Sequence, residues 1–373
     1  MAAALHLTPT QLNEFRAALL EWFAKHQRDL PWRLNRDPYR IWVSEIMLQQ
    51  TRVAAVIPYF EKFCTNFPDV KSLAEAPESE VLRLWSGLGY YSRARNMQAA
   101  AQQIVRDHAG IFPTSPENIR ALRGIGAYTT NAILSIAFGE KHAVLDGNVA
   151  RVVARLAAIR GDLRESANWA LLQKTADTLL AHQAPGAWNQ AMMELGATIC
   201  TPRAPQCLIC PLEKFCRARQ LGIRDLIPEK RKKRATEVVT VASAILTDTK
   251  GRCILLPPPK PSARKATAAD IPTLVSGMWH FPTIAVRKNP ERELRTYLGK
   301  NFMNAKDLPH LTPLKKVRHA VTYRAITLLP FVVEFKTLPK IPGAKIVPLK
   351  NFAPVPVSNL TRKAARAALK LTE

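Results

Sequence analysis

The chain has 373 residues, of which 47% are hydrophobic, and its formal net charge is +25 at pH 7. This size and composition suffice for a buried core, and two domains are expected. No apolar run is long enough to span a bilayer, and the N-terminal residues lack a signal-peptide pattern. We therefore expect a cytoplasmic protein that has no membrane partner.

The positive charge is concentrated in the C-terminal part of the chain. Residues 1–223 have a net charge of +6, whereas residues 224–373 have a net charge of +19. Such an excess attracts polyanions over long distances and makes their binding depend on salt. Because no amphipathic lipid anchor is present, a nucleic acid is the expected partner rather than a membrane surface.

Apolar periodicity predicts an all-helical region over residues 1–223, with helical faces such as 41–48 and 148–159. Residues 224–236 are strongly basic, which is typical of a solvated linker, with nucleic-acid contact as the alternative. Strand-like runs follow at 238–246, 253–256 and 325–335. We therefore predict a mixed α/β domain over residues 237–373.

Two short motifs precede helices in the N-terminal region. The glycines of Gly124-Ile125-Gly126 permit backbone amides to approach a phosphate at a helix N-terminus. Asp146, in Asp146-Gly147-Asn148, presents a carboxylate at the next helix start. The alternatives are an ordinary interhelical turn and an ordinary N-cap.

Four of the six cysteines form a C-x6-C-x2-C-x5-C pattern, namely Cys200, Cys207, Cys210 and Cys216. In a long chain without a signal peptide, this pattern favours a metal site over disulfides. Four thiolates suit tetrahedral zinc or a 4Fe-4S cluster, and the spacing does not choose between them.

Together, residues 124–129, 145–149 and the four cysteines resemble the helix-hairpin-helix DNA glycosylases that carry a 4Fe-4S cluster. The run Ser-Glu-Ile-Met-Leu-Gln-Gln-Thr-Arg-Val at 44–53 narrows this resemblance to the MutY-type adenine DNA glycosylases. The resemblance implies iron-sulfur rather than zinc. It also implies a monomer that acts on double-stranded DNA containing adenine opposite 8-oxoguanine or guanine, on the nucleoid of a bacterial cell.

Two carboxyl groups in unlike environments suit cleavage of a base from deoxyribose, which resembles glycoside hydrolysis. The apolar neighbours of Glu45 predict a raised pKa and a protonated acid, whereas the helix N-terminus should keep Asp146 ionised. In the family, the residue matching Glu45 protonates the adenine and helps to activate water. The residue matching Asp146 stabilises the sugar cation or bonds to it.

The resemblance assigns further roles residue by residue. Asn148 and Tyr128 hold the carboxylate and the intermediate, although core packing is the alternative for Tyr128. The adenine pocket is assigned to Trp32, Arg33 and Glu194, and entry into the base stack to Gln50, Leu88 and Tyr90. Tyr90 has core packing as its alternative. Because bifunctional relatives have a lysine where this chain has Tyr128, a monofunctional enzyme is expected.

The C-terminal region resembles a Nudix-like domain that recognises 8-oxoguanine, through Gly-Met-Trp-His-Phe-Pro at 277–282. No acidic Nudix box follows, so nucleotide hydrolysis is not expected. Arg318 and His319 occupy the place of a Phe-Ser-His lesion-reading run, with arginine instead of serine. The alternative is that both residues only touch DNA phosphate.

Three functions remain open on the sequence. The first is an adenine glycosylase, the second a related pyrimidine or thymine mismatch glycosylase, and the third a non-catalytic iron-sulfur DNA-binding protein. Retention of both Glu45 and Asp146 favours an enzyme, and Tyr128 in place of lysine favours the adenine-specific type.

Overall fold

The computed structural model describes residue 5 and residues 7–229, 235–258, 278–304, 306–321, 323–352 and 355–370. Residues 230–234 of the predicted linker, and position 277 of the predicted Nudix-like element, lie outside this range. The chain forms two compact units, Met1–Ala76 with Ser92–Lys232, and Pro77–Tyr91 with Lys233–Glu373. The boundaries drawn from composition at 223 and 236 stay a prediction.

The described secondary-structure elements of the first unit are all helical. Its α-helices are α1 (Pro9–His26), α2 (Pro38–Leu48), α3 (Val53–Asn66), α4 (Val70–Glu75), α6 (Ser92–His108), α7 (Pro116–Ala121), α8 (Ala127–Ala137), α9 (Gly147–Leu156), α10 (Ser166–Leu179), α11 (Pro185–Thr198) and α12 (Arg217–Gln220). Short 3-10 turns lie at Pro31–Arg33, Cys207–Ile209, Glu213–Phe215 and Arg224–Leu226. The predicted helical class is therefore confirmed.

Proline and a polar cap begin several of these helices. Asp37 accepts a hydrogen bond from the Tyr39 amide, and Pro38 follows as the first residue of α2. Ser115 and Pro116 begin α7 in the same way. Because a proline lacks the N–H that a first turn leaves unpaired, this arrangement starts a helix at low cost. This start positions α2, the helix that carries the candidate residue Glu45.

Close approach of two helices depends on one glycine. A Cβ added at Gly196 would lie 2.8 Å from Asn148 Cβ, so α11 contacts the start of α9 only because this position has no side chain. On the same helix α11, Trp188 packs against Phe15 of α1 with ring centroids 5.7 Å apart. The fully buried rings fix the positions of α1 and α11.

The described strands of the second unit form one sheet. They are β1 (Glu237–Asp248), β2 (Arg252–Leu255), β3 (Thr283–Ala285), β4 (Thr312–Pro313), β5 (Val317–Val321), β6 (Arg324–Phe335) and β7 (Lys345–Pro348). The order is β4-β6-β1-β2-β7, with β3 paired to β1 and β5 to β6. The long strands β1 and β6 are parallel, in register from Glu237–Arg324 to Asp248–Phe335. The three strands predicted from sequence are confirmed.

Helices cover both faces of this sheet. Val241 and Ile245 of β1 share an apolar cluster with helix α14 (Asn359–Leu369), whereas Ala242 and Leu246 share one with helix α13 (Pro290–Asn301). Alternate residues of a strand point to opposite faces, so β1 supplies both cores. The predicted α/β class is confirmed.

The segment Pro77–Tyr91, which contains helix α5 (Glu78–Leu84), belongs to this unit although it comes early in the sequence. Its attachment is specific. Tyr91 Oη donates a hydrogen bond to Val357 O at 3.3 Å, and Arg362 Nη2 donates one to Ser86 Oγ at 2.6 Å. In the part of the chain that the structure describes, no helix meets the length and apolarity needed to cross a membrane.

Candidate active site

A cavity of about 520 Å³ opens in the first unit, between the ends of α2, α9 and α11. Much of the predicted site lines it. The predicted residues among its lining are Trp32, Arg33, Glu45, Gln50, Tyr128, Asp146, Asn148 and Glu194. The fold therefore brings together side chains that are distant in sequence.

Glu45 is an ionisable side chain on a helix that is buried almost all around. Only 6% of its surface is exposed, and residues 41–47 of α2 are all buried. Burial raises the pKa of Glu45 to about 7, and the charge of Asp146 acts in the same direction. The hydrogen bond from Tyr128 Oη to Glu45 Oε2, at 2.5 Å, and the charge of Arg33 lower it. The predicted rise in the pKa of Glu45 is confirmed, and the cause is desolvation.

Asp146 is the N-cap of α9. Its Oδ1 accepts hydrogen bonds from the amides of Asn148 at 2.9 Å and Val149 at 2.7 Å. Burial is nevertheless the largest influence and raises the pKa of Asp146, while the two amides and Arg151 lower it. The amides favour the ionised form of Asp146, as expected, but desolvation of the carboxylate exceeds their effect and the net pKa is raised.

Asn148 links the carboxylate to a buried arginine. Asn148 Nδ2 donates to Asp146 Oδ2 at 3.3 Å, and Asn148 Oδ1 accepts from Arg151 Nη2 at 3.0 Å. The same guanidinium donates to Gly196 O at 2.7 Å and to Cys200 O at 2.8 Å. Arg151 thus fixes the amide of Asn148 and also contacts the backbone of the first cysteine in the four-cysteine segment.

Two arginines neutralise a fully buried carboxylate on the opposite wall. Arg28 donates to both oxygens of Glu194, at 2.5 and 3.0 Å, and Arg33 Nη2 donates at 2.9 Å. Burial acts to raise the pKa of Glu194, but the two guanidinium groups outweigh it and the net pKa is lowered. Glu194 is therefore an ionised group held in place, not a proton donor.

The sequence interpretation missed several lining residues. Arg28 precedes the Pro-Trp-Arg segment, and no local pattern marks it. Gln190, Met193 and Ala197 also line the cavity. With Glu194 they follow the spacing of one face of α11, and this periodicity is a signal that was available in the sequence.

The turn after α2 forms the rim near Gln50, whose φ is +58°. Arg93 of α6 binds this turn, since its Nη1 donates to Ile46 O at 2.7 Å and to Gln49 O at 2.7 Å. These carbonyls end a helix and have no partner within it. On the other side, Trp32 is 7% exposed and packs edge-on against Phe60 at 5.4 Å.

The glycine hairpin connects α7 to α8, as predicted. Gly124 has φ +82°, and an added Cβ there would lie 2.8 Å from Asn96 Cβ, so this position requires glycine. Gly126 caps α8 with extended backbone and nothing within 4 Å of an added Cβ. No side chain caps the first turn of α8 at Gly126, and phosphate binding there stays a prediction.

Cys200, Cys207, Cys210 and Cys216 line one pocket with apolar walls. Arg155 Nη1 lies 3.3 Å from Cys200 Sγ, and Arg219 and Arg224 also line the pocket. Burial raises the pKa of Cys210 to about 12, and the neighbouring thiols act in the same direction. Among the described residues, no three or more His, Cys, Asp or Glu side chains are arranged to hold a single metal ion. Cys64 and Cys253 are buried elsewhere, as expected.

The remaining predicted residues lie in the second unit and do not line the cavity. Leu88 is 8% exposed, whereas Tyr90 is 45% exposed with φ +48°. Core packing of Tyr90 is therefore excluded, and insertion into DNA stays a prediction for both residues. Arg318 is exposed on β5 and His319 is half-buried, because successive residues of a strand alternate in direction. Burial, and then the charge of Lys363, lowers the pKa of His319.

Residues 43–175 match the family model described as HhH-GPD superfamily base excision DNA repair protein. The human protein "Adenine DNA glycosylase" is 34% identical over an alignment that covers 95% of this chain and 74% of that protein. The protein of the same name from Buchnera aphidicola subsp. Acyrthosiphon pisum is 45% identical, over 55% of this chain and 59% of its own length.

A solved structure of a thermostable thymine-DNA glycosylase is similar to the helical part. It aligns with a TM-score of 0.51 and 29% identity, and the alignment covers 56% of this chain and 97% of that one. This similarity is confined to part of the chain, whereas the similarity to the human protein extends over nearly all of it.

Proposed function

Because this chain belongs to the adenine DNA glycosylase family and is a base-excision DNA glycosylase, we propose that it hydrolyses the N-glycosidic bond of adenine paired with 8-oxoguanine or guanine. The observation that carries this proposal is the pairing of two unlike carboxyl groups in one cavity. Glu45 has a pKa of about 7, while Asp146 accepts hydrogen bonds from two backbone amides.

In the proposed reaction, Glu45 gives a proton to the leaving adenine, and Asp146 stabilises the positive charge that develops on the sugar. A water molecule then adds to the sugar cation and gives its proton to the Glu45 carboxylate, which leaves an abasic site and restores the acid. Tyr128 orients the acid through its hydrogen bond to Glu45, and Asn148 orients Asp146. The base must leave the duplex to reach this cavity, and Gln50, Leu88 and Tyr90 are proposed to fill the resulting gap.

A monofunctional reaction is supported by the cations around the cavity. Its described lining contains Arg28 and Arg33 but no lysine. Cleavage of the strand by a bifunctional glycosylase needs an amine that attacks the sugar. An arginine is always protonated and does not serve as that nucleophile.

We also infer that Cys200, Cys207, Cys210 and Cys216 hold a 4Fe-4S cluster. The pocket suits such a group, because it offers four thiols, apolar walls and the Arg155 guanidinium beside Cys200. When bound, the cluster supplies cross-links between the segments that carry the cysteines. Arg155 and Arg151 of α9 hold the backbone at Cys200 beside the site.

The second unit is proposed to recognise the oxidised base as a Nudix-like domain. Its sheet with helices on both faces is compatible with this role, as is the sequence at 278–282. The strongly positive charge of residues 224–373 supports a DNA-facing role for this part of the chain.

The test is base release under single-turnover conditions from four duplexes, with adenine opposite 8-oxoguanine, guanine, cytosine or thymine. We expect fast adenine release opposite 8-oxoguanine, slower release opposite guanine, and strand breaks only after alkali. Asp146→Asn, which removes charge but little volume, is the matched inactive variant and should still bind the duplex.

Release of thymine from a mismatch would favour the pyrimidine-specific alternative. Binding without release of any base would favour the non-catalytic one. Activity of Asp146→Asn within a few-fold of the unmodified protein would remove Asp146 from the mechanism.

A further inference from the structure

A second cavity, of about 570 Å³, lies in the C-terminal unit and is strongly positive. The strand β5 with the residues before it forms one side, and helix α14 forms the other. Its cationic lining residues, called here the cationic groove, are Lys315, Lys316, Arg318, Lys363, Arg366 and Lys370. No Asp or Glu is among the described residues that line it.

The helix side of the cationic groove is a regular stripe. Lys363, Arg366 and Lys370 are all exposed. Their spacing of three and four residues places them along one face of α14, with Lys370 as the residue that follows its last turn. The opposite face buries Leu360, Ala364 and Ala368 against the sheet. At a rise of 1.5 Å per residue, the stripe extends over about 10 Å.

The two sides of the groove are connected. Lys363 Nζ donates a hydrogen bond to Arg318 O at 3.1 Å. This bond joins α14 to β5 and leaves the side chain of Arg318 exposed. The positive charges are therefore presented by two elements that are fixed to each other and to the core of this unit.

Within the described residues, no salt bridge involves any of the six cations. Arg252 and Arg324 of the same unit, in contrast, pair with Asp248 and Glu237. Like charges within a Debye length of about 8 Å repel one another, so the unpaired set favours an anion in the groove. An anionic ligand, rather than internal ion pairs, therefore accounts for these six positive charges.

We propose that the cationic groove binds the phosphodiester backbone of duplex DNA, an inference that rests on the proposed function. A strand carries one phosphate per about 3.4 Å of duplex axis, so a stripe of about 10 Å faces about three phosphates. Among the described residues, the side chains that line the groove offer six cations and no carboxylate, which suits several successive phosphate oxygens. In this proposal Arg318 binds phosphate, and its side chain is not the reader of the oxidised base.

The test compares two triple variants of the full chain with equal loss of charge. The groove variant is Lys363→Gln with Arg366→Gln and Lys370→Gln. The control variant is Lys300→Gln with Lys336→Gln and Lys340→Gln, which removes three exposed lysines of the same unit outside the groove. Affinity for a short undamaged duplex is measured by fluorescence anisotropy over a range of KCl concentrations.

The slope of log affinity against log salt should decrease by about 0.9 for each phosphate that the variant no longer neutralises, hence by about 2 to 3 for the groove variant. The control variant should change this slope by less than about 1. Single-turnover adenine release at saturating enzyme should stay within about twofold for both, since neither changes the cavity of the first unit.

Equal slopes for the groove and control variants would overturn the proposal, including the case in which the groove serves an acidic protein. If the groove variant does not fold, Lys315→Gln with Lys316→Gln on the strand side gives the same test, with an expected decrease of about 1 to 2. Failure of the unmodified protein to release adenine would refute the proposed function but would leave the difference in slope intact.

Discussion

Tyr128 Oη donates a hydrogen bond of 2.5 Å to Glu45 Oε2, between residues 83 positions apart in the sequence. Burial raises the pKa of Glu45 to about 7, and this hydrogen bond opposes the rise. Burial and this hydrogen bond together therefore set the pH at which Glu45, the proposed catalytic acid, loses its proton.

Adenine release should decrease about tenfold per pH unit above pH 7, because only protonated Glu45 donates a proton. Tyr128→Phe should move this decrease to higher pH, since it removes an interaction that lowers the pKa of Glu45. Single-turnover rates across this pH range measure both effects. Tyr297→Phe in the second unit is the control, and an unchanged pH profile for Tyr128→Phe would contradict the prediction.

Glu45→Gln should abolish base release and stabilise the fold at alkaline pH. The folded-state pKa of about 7 exceeds the ordinary value of 4.5, so the free energy of unfolding decreases as pH rises between these values. At about pH 8 the variant should be more stable by up to ~3 kcal/mol, and at about pH 5 the gain should be much smaller. Urea denaturation at both pH values provides the measurement. If the variant is less stable than the unmodified protein at pH 8, burial of the Glu45 carboxylate does not destabilise the folded protein, and the prediction is wrong.

Glu194→Gln should destabilise the first unit by about 3 kcal/mol. The Arg33 side chain is only 13% exposed, so loss of its carboxylate partner would leave a nearly buried positive charge unpaired. The control is Glu14→Gln, which removes an exposed ion pair with Lys214 and should change stability by less than ~0.5 kcal/mol. Thermal and urea denaturation of both variants would measure the difference. Similar values for the two substitutions would mean that the buried ion pair contributes no more than a surface one.

Purified protein should contain iron and acid-labile sulfide at about four each per chain, if the four cysteines hold the inferred cluster. Removal of the cluster should open residues 200–224 to proteases, because the segment contains only short helical turns apart from α12. Mass spectrometry of the fragments would locate the cleavage. Stoichiometric zinc without sulfide, in protein prepared without air, would refute the assignment.

Arg318→Ala should weaken binding to lesion and undamaged duplexes equally and reduce the salt slope by about 0.9, as a phosphate contact would. His319→Ala should instead reduce the preference for adenine opposite 8-oxoguanine, as expected for a base contact. Anisotropy titrations with paired duplexes distinguish the two. If Arg318→Ala weakens binding only to the lesion duplex, Arg318 contacts the oxidised base and not phosphate.

Much of this protein is determined by local sequence. The strands at 237–248 and 324–335 and the proline-capped start of α2 follow from β-propensity, apolar periodicity and cap chemistry, which depend on residues near one another. The apolar neighbours of Glu45 are likewise local, and so the rise in its pKa was predictable.

Tertiary structure alone decided which side chains meet in the cavity and how strongly they are desolvated. Arg33 and Glu194 are 161 positions apart, and no local pattern identifies Arg28 as their third member. The net rise in the pKa of Asp146 also depends on tertiary structure. The amides that favour its ionised form come from its own helix, whereas the burial that outweighs them depends on the packing around that helix, which no local motif specifies.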